Sequence, residues 1–214
     1  MQFTTQQHQP QIKEHNRFLQ CRNCDRSNSR NKVCLWRNTI PAGILFVGTA
    51  PDMIEDQIGQ PFIGVAGAML DEMIAAVSVQ IRRDFEKELA PENHHLITNI
   101  KTCVTTAVSC YGDEPPTDEE REACLPRLLE LIKIANPQLI VLVGIDQLLP
   151  NHQHRTYRHQ LVEDGETEFL NHIPTIQIDS PQKLMELSEQ VGKESIVPLY
   201  RVQVSKIVNA IRDL

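Results

Sequence analysis

Apolar residues in this chain gather into short solid runs, separated by longer stretches in which they recur every three or four positions. Ile44, Leu45, Phe46 and Val47 form one run, ended by Gly48. Residues 139–143 and 175–178 form two more, and residues 95–98 read as a strand between the first two. Short apolar runs bounded by turn formers are strands covered on both faces, whereas spacing of three and four marks a helix with one dry side. Helical spacing covers residues 11–19, 66–77, 118–135, 181–190 and 200–212, with a further helix near 79–89. In the last of the five, Val204, Ile207, Val208 and Ile211 share a face. Strands that alternate with helices give a parallel sheet covered on both sides. The expected fold is α/β, three layers α/β/α around a central four-stranded parallel sheet.

In open sheets of this kind ligands bind beyond the carboxyl ends of the strands. Residues 48–71, GTAPDMIEDQIGQPFIGVAGAMLD, form the loop at that place after the first strand. Its glycines permit close backbone approach, and Phe62, set between a proline and a glycine loop, suits a pocket wall better than a core position. Asn99, at the end of the 95–98 strand, carries a donor and an acceptor together, the pattern that matches the edge of a pyrimidine. A strand-end turn asparagine is the plainer alternative.

At 214 residues the chain suits a single domain, 1–214, with 1–43 an N-terminal helix and cysteine-bearing segment and 151–172 a polar, histidine-rich loop insertion. No run is long or apolar enough to cross a membrane, and the polar start MQFTTQQHQPQ is not a signal peptide, so a cytoplasmic location is expected. The net charge of −7 argues against broad adhesion to nucleic acid. Two basic clusters stand out locally: Arg22, Arg26, Arg30, Lys32 and Arg37, and Arg155 and Arg158 among His152, His154 and His159. Each reads as a phosphate contact or as a solvated face.

In a chain expected to be cytosolic, six cysteines are metal ligands or buried thiols rather than disulfides. Cys21 and Cys24, two residues apart, can close on one metal centre, which needs two further ligands from elsewhere. Four thiolates satisfy an iron–sulfur cluster or zinc equally well.

The series GTAP, ED and G-x-PF-x-G-x-AG in residues 48–71 resembles the first motif of the family 4 uracil-DNA glycosylases, which runs GEAPG, ED, GxPFVGxAG. Residues 98–103, TNIKTC, resemble the family's TNVVKC segment with the cysteine shifted by one. Residues 117–125, TDEEREACL, resemble its cysteine-bearing helix start, and 137–144, PQLIVLVG, the strand that follows. The matches span roughly residues 20–145 in the family's order.

The resemblance implies a uracil-DNA glycosylase-like fold and hydrolysis of the N-glycosidic bond of an extruded uracil or modified pyrimidine in DNA, leaving an abasic site for base-excision repair. It implies substrate contacts from Gly48, Thr49, Phe62, Gly64 and Asn99, with Phe62 stacking on the base and Asn99 reading its edge. It also implies a 4Fe-4S cluster on Cys21, Cys24, Cys103 and Cys124, with Cys110 the alternative third ligand and zinc the less expected occupant. Cys34 is left over as a core or surface thiol. DNA is the expected partner of a monomer, with no membrane and no small-molecule cofactor besides the cluster.

Two departures bear on catalysis. Thr49 stands where the family has Glu, so a carboxylate must come from Asp52, Glu55 or Asp56, with Asp52 nearest. Where the family has His-Pro-Ser or His-Pro-Ala, this chain reads Ile178-Asp179-Ser180-Pro181-Gln182-Lys183. Ser180 or Lys183 could donate to the leaving base, or one of His154, His159 and His172 could reach in. A lyase step would need an amine, and Lys101 and Lys183 are near the predicted mouth. Two other readings keep the same residues: a noncatalytic nucleic-acid-binding module, and a metal-stabilised interaction domain.

Overall fold

Strand segments pair as the apolar runs require. The computed structural model describes residues 5–88, 100–145, 170, 172–191 and 196–214. Its strands are β1 (Arg37–Asn38), β2 (Ile44–Gly48), β3 (Thr102–Thr106), β4 (Leu139–Val143) and β5 (Thr175–Ile178). They lie in the spatial order β1-β3-β2-β4-β5, all parallel except β1, which runs antiparallel along the edge of β3.

The helices are α1 (Thr5–His15), which runs into a 3-10 turn at Asn16–Gln20, α2 (Arg26–Ser29), α3 (Met53–Ile58), α4 (Val65–Glu88), α5 (Asp118–Ala135), α6 (Pro181–Val191) and α7 (Ile196–Arg212). Strand alternation divides the core into two layers. Ile44, Phe46, Val104, Val141 and Val143 pack against Leu70, Met73 and Val77 of α4, Leu184 of α6, and Val204, Ile207 and Val208 of α7. Leu45, Val47, Cys103, Ile140 and Leu142 face the other way, onto Leu128, Leu131 and Ile132 of α5. This is the expected three-layer α/β/α arrangement, with helices covering both faces of a buried sheet.

Local chemistry sets the ends of α5. The Thr117 hydroxyl accepts the Glu120 amide while Glu120 reaches back to the Thr117 amide, and Asn136 closes the helix in the left-handed conformation with φ 48°. Such a reciprocal cap contributes about 1 kcal/mol.

Several expectations change. The sheet has five strands among the described residues, one of them antiparallel, rather than four parallel strands. Residues 95–98 lie outside the described residues, and the strand between β1 and β2 is β3. Its sequence, Thr-Cys-Val-Thr-Thr, has no solid apolar run; β-branching is what suits it to a strand. The helices expected at 66–77 and 79–89 are one, α4, since no glycine or proline interrupts it after Gly67. Residues 146–169 lie outside the described residues, and with them nearly all of the expected insertion. Among the described residues, no helix is long and apolar enough to cross a membrane.

Candidate active site and cysteine pocket

Parallel pairing delivers the strand ends to one edge. Across it stand Thr106 from β3, Gly48 from β2, Gly144 after β4, and Asp179 with Ser180 after β5. Gly48 and Thr106 are register partners, so both point to the face that carries Phe46 and Val104. A Cβ on Gly48 would stand 2.4 Å from Cζ of Phe62. The glycine therefore lets the ring lie against the strand end. Phe62 itself holds φ 55°, a left-handed conformation that costs a non-glycine residue about 1 kcal/mol or more and is retained where the surroundings enforce it. They do so here. A Cβ on Gly67 would come 1.8 Å from the Phe62 carbonyl oxygen, so the first turn of α4 closes on this residue only with glycine at that position.

The acidic residues of the loop hold it in shape. Asp52 caps α3: its Oδ1 accepts the Glu55 amide at 2.8 Å, and its Oδ2 lies 3.3 Å from where a Cβ on Gly64 would be. Buried Glu55 accepts the Asp52 amide at 3.1 Å and the amides of Phe62 and Ile63; burial pushes its carboxyl above the ordinary range while those amides oppose the rise. Buried Asp56 accepts the Asn31 amide at 2.9 Å, the Asn31 side chain at 2.6 Å and the Lys32 amide at 3.2 Å. Only Asp52 of the three is exposed at the edge. Thr49 is exposed, with its carbonyl oxygen accepting the Val108 amide at 3.0 Å.

At the far end of the edge, Ser180 Oγ accepts the Lys183 amide at 3.1 Å, opening α6. Gly144, at φ 69°, lets Ser180 approach, since a Cβ there would lie 2.7 Å from the serine Cβ. The Lys183 ammonium donates to Asp179 at 2.6 Å, which holds that carboxyl below its ordinary range, and Gln203 of α7 donates to its other oxygen at 3.0 Å. Lys183 is thus engaged with Asp179 beside the edge rather than offered to a ligand. Lys101 precedes β3 and sits at the opposite, amino end of the sheet, which removes it as a candidate amine. Asn99, His154 and His159 lie outside the described residues; His172 is exposed. Since β3 starts at Thr102, Asn99 also precedes its amino end.

The residue that β3 does bring to the edge is Thr106. It is 1% exposed and its hydroxyl has no hydrogen-bond partner. A buried, unpaired hydroxyl costs about 1–3 kcal/mol, and this one belongs to the register partner of Gly48, the residue against which the Phe62 ring lies.

The cysteines assemble on the other side of the sheet. Cys21, Cys24, Cys110 and Cys124 line one narrow pocket with Phe18, Val33, Ser109 and Arg127. Cys103 is not among them. It points into the core with Leu45 and Ile140, where burial pushes its thiol up to about 12, so Cys110 replaces it as the third candidate ligand. Cys34 borders the pocket through its backbone, its amide donating to the Ser109 carbonyl at 2.8 Å, but its thiol donates to the Glu55 carbonyl at 3.2 Å. Among the described residues, no three His, Cys, Asp or Glu side chains stand in a ready-made ion site; what the four thiols share is a pocket wall.

That wall is short of acceptors. Arg127 Nε and Ser109 Oγ, both buried, lack partners. The Ser109 amide donates to Cys124 Sγ at 3.4 Å and Arg30 to Cys110 Sγ at 3.4 Å. Donors turned toward sulfur, with two more unpaired, suit an anionic, sulfur-bearing occupant held by four thiolates.

The basic cluster divides. Arg26 is buried against Glu120 at 2.7 Å and Arg37 pairs with Asp71 at 2.8 Å. Arg22, Arg30 and Lys32 instead line an open polar pocket of about 420 Å³.

The sequence model of the uracil DNA glycosylase superfamily matches residues 38–200. The chain belongs to the uracil DNA glycosylase superfamily. It is 31% identical over 62% of its length to a type-4 uracil-DNA glycosylase of Pyrobaculum aerophilum, 32% over 59% to one of Archaeoglobus fulgidus, and 31% over 62% to one of Thermotoga maritima. These matches cover 60%, 56% and 60% of the relatives' own lengths, so the chain spans well under two thirds of each. With the TNVVKC pattern slid until its cysteine meets Cys110, it overlies Thr105-Thr106-Ala107-Val108-Ser109-Cys110, and Thr106 takes the place of the asparagine. The separation of 14 between Cys110 and Cys124 and the β-branched run before Cys110 were the sequence signals for this register.

Proposed function

We propose that this chain is a DNA glycosylase of the uracil-DNA glycosylase superfamily that hydrolyses the N-glycosidic bond of an extruded pyrimidine. The observation that carries the reading is the Phe62 ring, held in a left-handed conformation over Gly48, whose register partner Thr106 carries an unpaired buried hydroxyl. Strain maintained at a ligand edge is strain with a use. In this reading the extruded base stacks on Phe62 and its edge bonds to Thr106 Oγ. A carboxamide matches a donor–acceptor pair, whereas a hydroxyl makes one bond of either sense, so the preference extends to pyrimidines other than uracil.

Asp52 is the carboxylate within reach of the loop. Water attacks the anomeric carbon, the carbon–nitrogen bond breaks with its electron pair leaving on the base, and Asp52 takes the water proton. Ser180, whose oxygen accepts the Lys183 amide, still has its own proton to donate to the departing base anion. Arg22, Arg30 and Lys32 contact the phosphates. Cys21, Cys24, Cys110 and Cys124 hold a 4Fe-4S cluster, which when bound cross-links the N-terminal segment, the exit of β3 and α5.

The replacement of Glu by Thr49 and the absence of a histidine from residues 178–183 favour one other reading, a DNA-binding module without catalysis. One experiment separates them: base release, scored as abasic sites, from oligonucleotides bearing uracil and 5-substituted pyrimidines, with Phe62→Ala as control. Release that disappears in the variant is expected. DNA binding without release from any of these substrates would overturn the enzymatic reading in favour of the module.

A further inference from the structure

Arg127 is 2% exposed and sits on α5, one turn beyond Cys124. Its Nη1 donates to the Leu35 carbonyl at 3.3 Å and to Thr105 Oγ at 3.1 Å; its Nη2 donates to the carbonyls of Thr106 and, at 3.2 Å, Ala107. Every one of these acceptors is neutral. A guanidinium taken out of water without an anion costs several kcal/mol, and its remaining donor, Nε–H, has no partner among the described residues. On the same pocket wall the Ser109 hydroxyl, 1% exposed, is also unpaired. Both groups look for an acceptor where the four thiols meet.

The other end of the guanidinium reaches the ligand edge. Thr106 and Ala107 are the last residue of β3 and the one after it, and the Ala107 amide donates to the Gly48 carbonyl at 2.8 Å. Gly48 is the residue against which Phe62 lies. A single buried side chain therefore spans the wall of the cysteine pocket and the floor of the base site.

We infer that Arg127 and Ser109 donate hydrogen bonds to the sulfurs of the cluster in the cysteine pocket, and that Arg127 is a positioning residue coupling occupancy of that pocket to the β3 end that reads the base. The inference rests on the iron–sulfur reading above. Pairing with an anionic cluster supplies the charge Arg127 lacks and fixes the carbonyls of Thr106 and Ala107. Without it, the guanidinium has only neutral partners, and the edge it braces loosens.

The test uses anaerobically purified full chain as wild type, Ser109→Ala and Arg127→Lys. Iron content and melting temperature are measured together with the resonance Raman Fe–S stretching bands in H2O and D2O. Affinity for an oligonucleotide carrying a uracil is read alongside. Ser109→Ala removes one oxygen and should keep iron and melting temperature while shifting the Fe–S bands and shrinking their deuterium sensitivity. Arg127→Lys keeps the charge but loses the fork, and should in addition weaken the DNA complex about tenfold. Unshifted bands in both variants would overturn the inference, as would shifted bands with unchanged DNA affinity in Arg127→Lys. Stoichiometric zinc in place of iron would instead overturn the cluster reading itself, and this inference with it.

Discussion

The cysteine pocket and the ligand edge lie on the two sides of one strand and have diverged differently from their family pattern. The pocket has four thiols on one wall, those of Cys21, Cys24, Cys110 and Cys124. The edge keeps its shape, from Phe62 over Gly48 to Gly67 under the Phe62 carbonyl, but Thr49 stands where the family pattern carries Glu, and no histidine lies in residues 178–183. Ligands to a metal must be complete, because a missing thiolate opens the site. Groups that handle charge at a reacting centre can change with the substrate.

Exchanging the cysteines breaks this comparison most severely. Cys110→Ser should purify with little or no iron and melt far below wild type, while Cys103→Ser should keep its iron and lose only about 1–3 kcal/mol for a hydroxyl placed in the core. Iron analysis and melting curves on both decide between the two registers, and the opposite pattern would restore Cys103. At the edge, Gly67→Ala puts a methyl 1.8 Å from the Phe62 oxygen. It should cost several kcal/mol and abolish stacking, read as lost quenching of a fluorescent base analogue; intact quenching would show that Phe62 is not the platform.

A third test reaches the shared foundation. Burial first, and then the Arg127 charge, hold the His15 imidazole down to about 4 from an ordinary 6.5. Below 6.5 the unfolded chain binds a proton that the folded chain refuses, so stability is full above that pH and falls as pH drops toward 4, by about 3 kcal/mol. Melting temperatures across this window should fall more steeply in wild type than in His15→Asn. The last test is the most specific: Thr106→Val should stabilise the fold by about 1–3 kcal/mol, since the hydroxyl it removes is buried and unpaired, yet weaken pyrimidine recognition about tenfold. Unaltered discrimination among bases would exclude Thr106 as the reader.

The layers of the fold were legible because β2 and β4 are solid apolar runs and α5 carries its own stop and start signals at Thr117 and Asn136. The loop was legible because its glycines answer to backbone collisions that sequence patterns record. β3 was not, since Thr-Cys-Val-Thr-Thr is buried by its neighbours and not by its own hydrophobicity. That one miss led to Cys103 rather than Cys110, as residue names a few positions apart offered a plausible match, while Asn99 lies outside the described residues. The capping roles of Asp52 and Ser180 are visible only once α3 and α6 have their bounds. Arg127 gave no signal at all, because an arginine in a helix is ordinarily a surface residue.

Asp56 gathers the amides of Asn31 and Lys32 onto α3, and so fastens the stretch that follows Cys24 to the loop that ends at Phe62. The molecule has, in effect, a hinge pin between its cysteine-bearing arm and its aromatic finger. On the cluster reading proposed above, a chain stripped of metal would slacken from the arm toward this pin, and a protease should find the segment around Arg22 well before it reaches the finger.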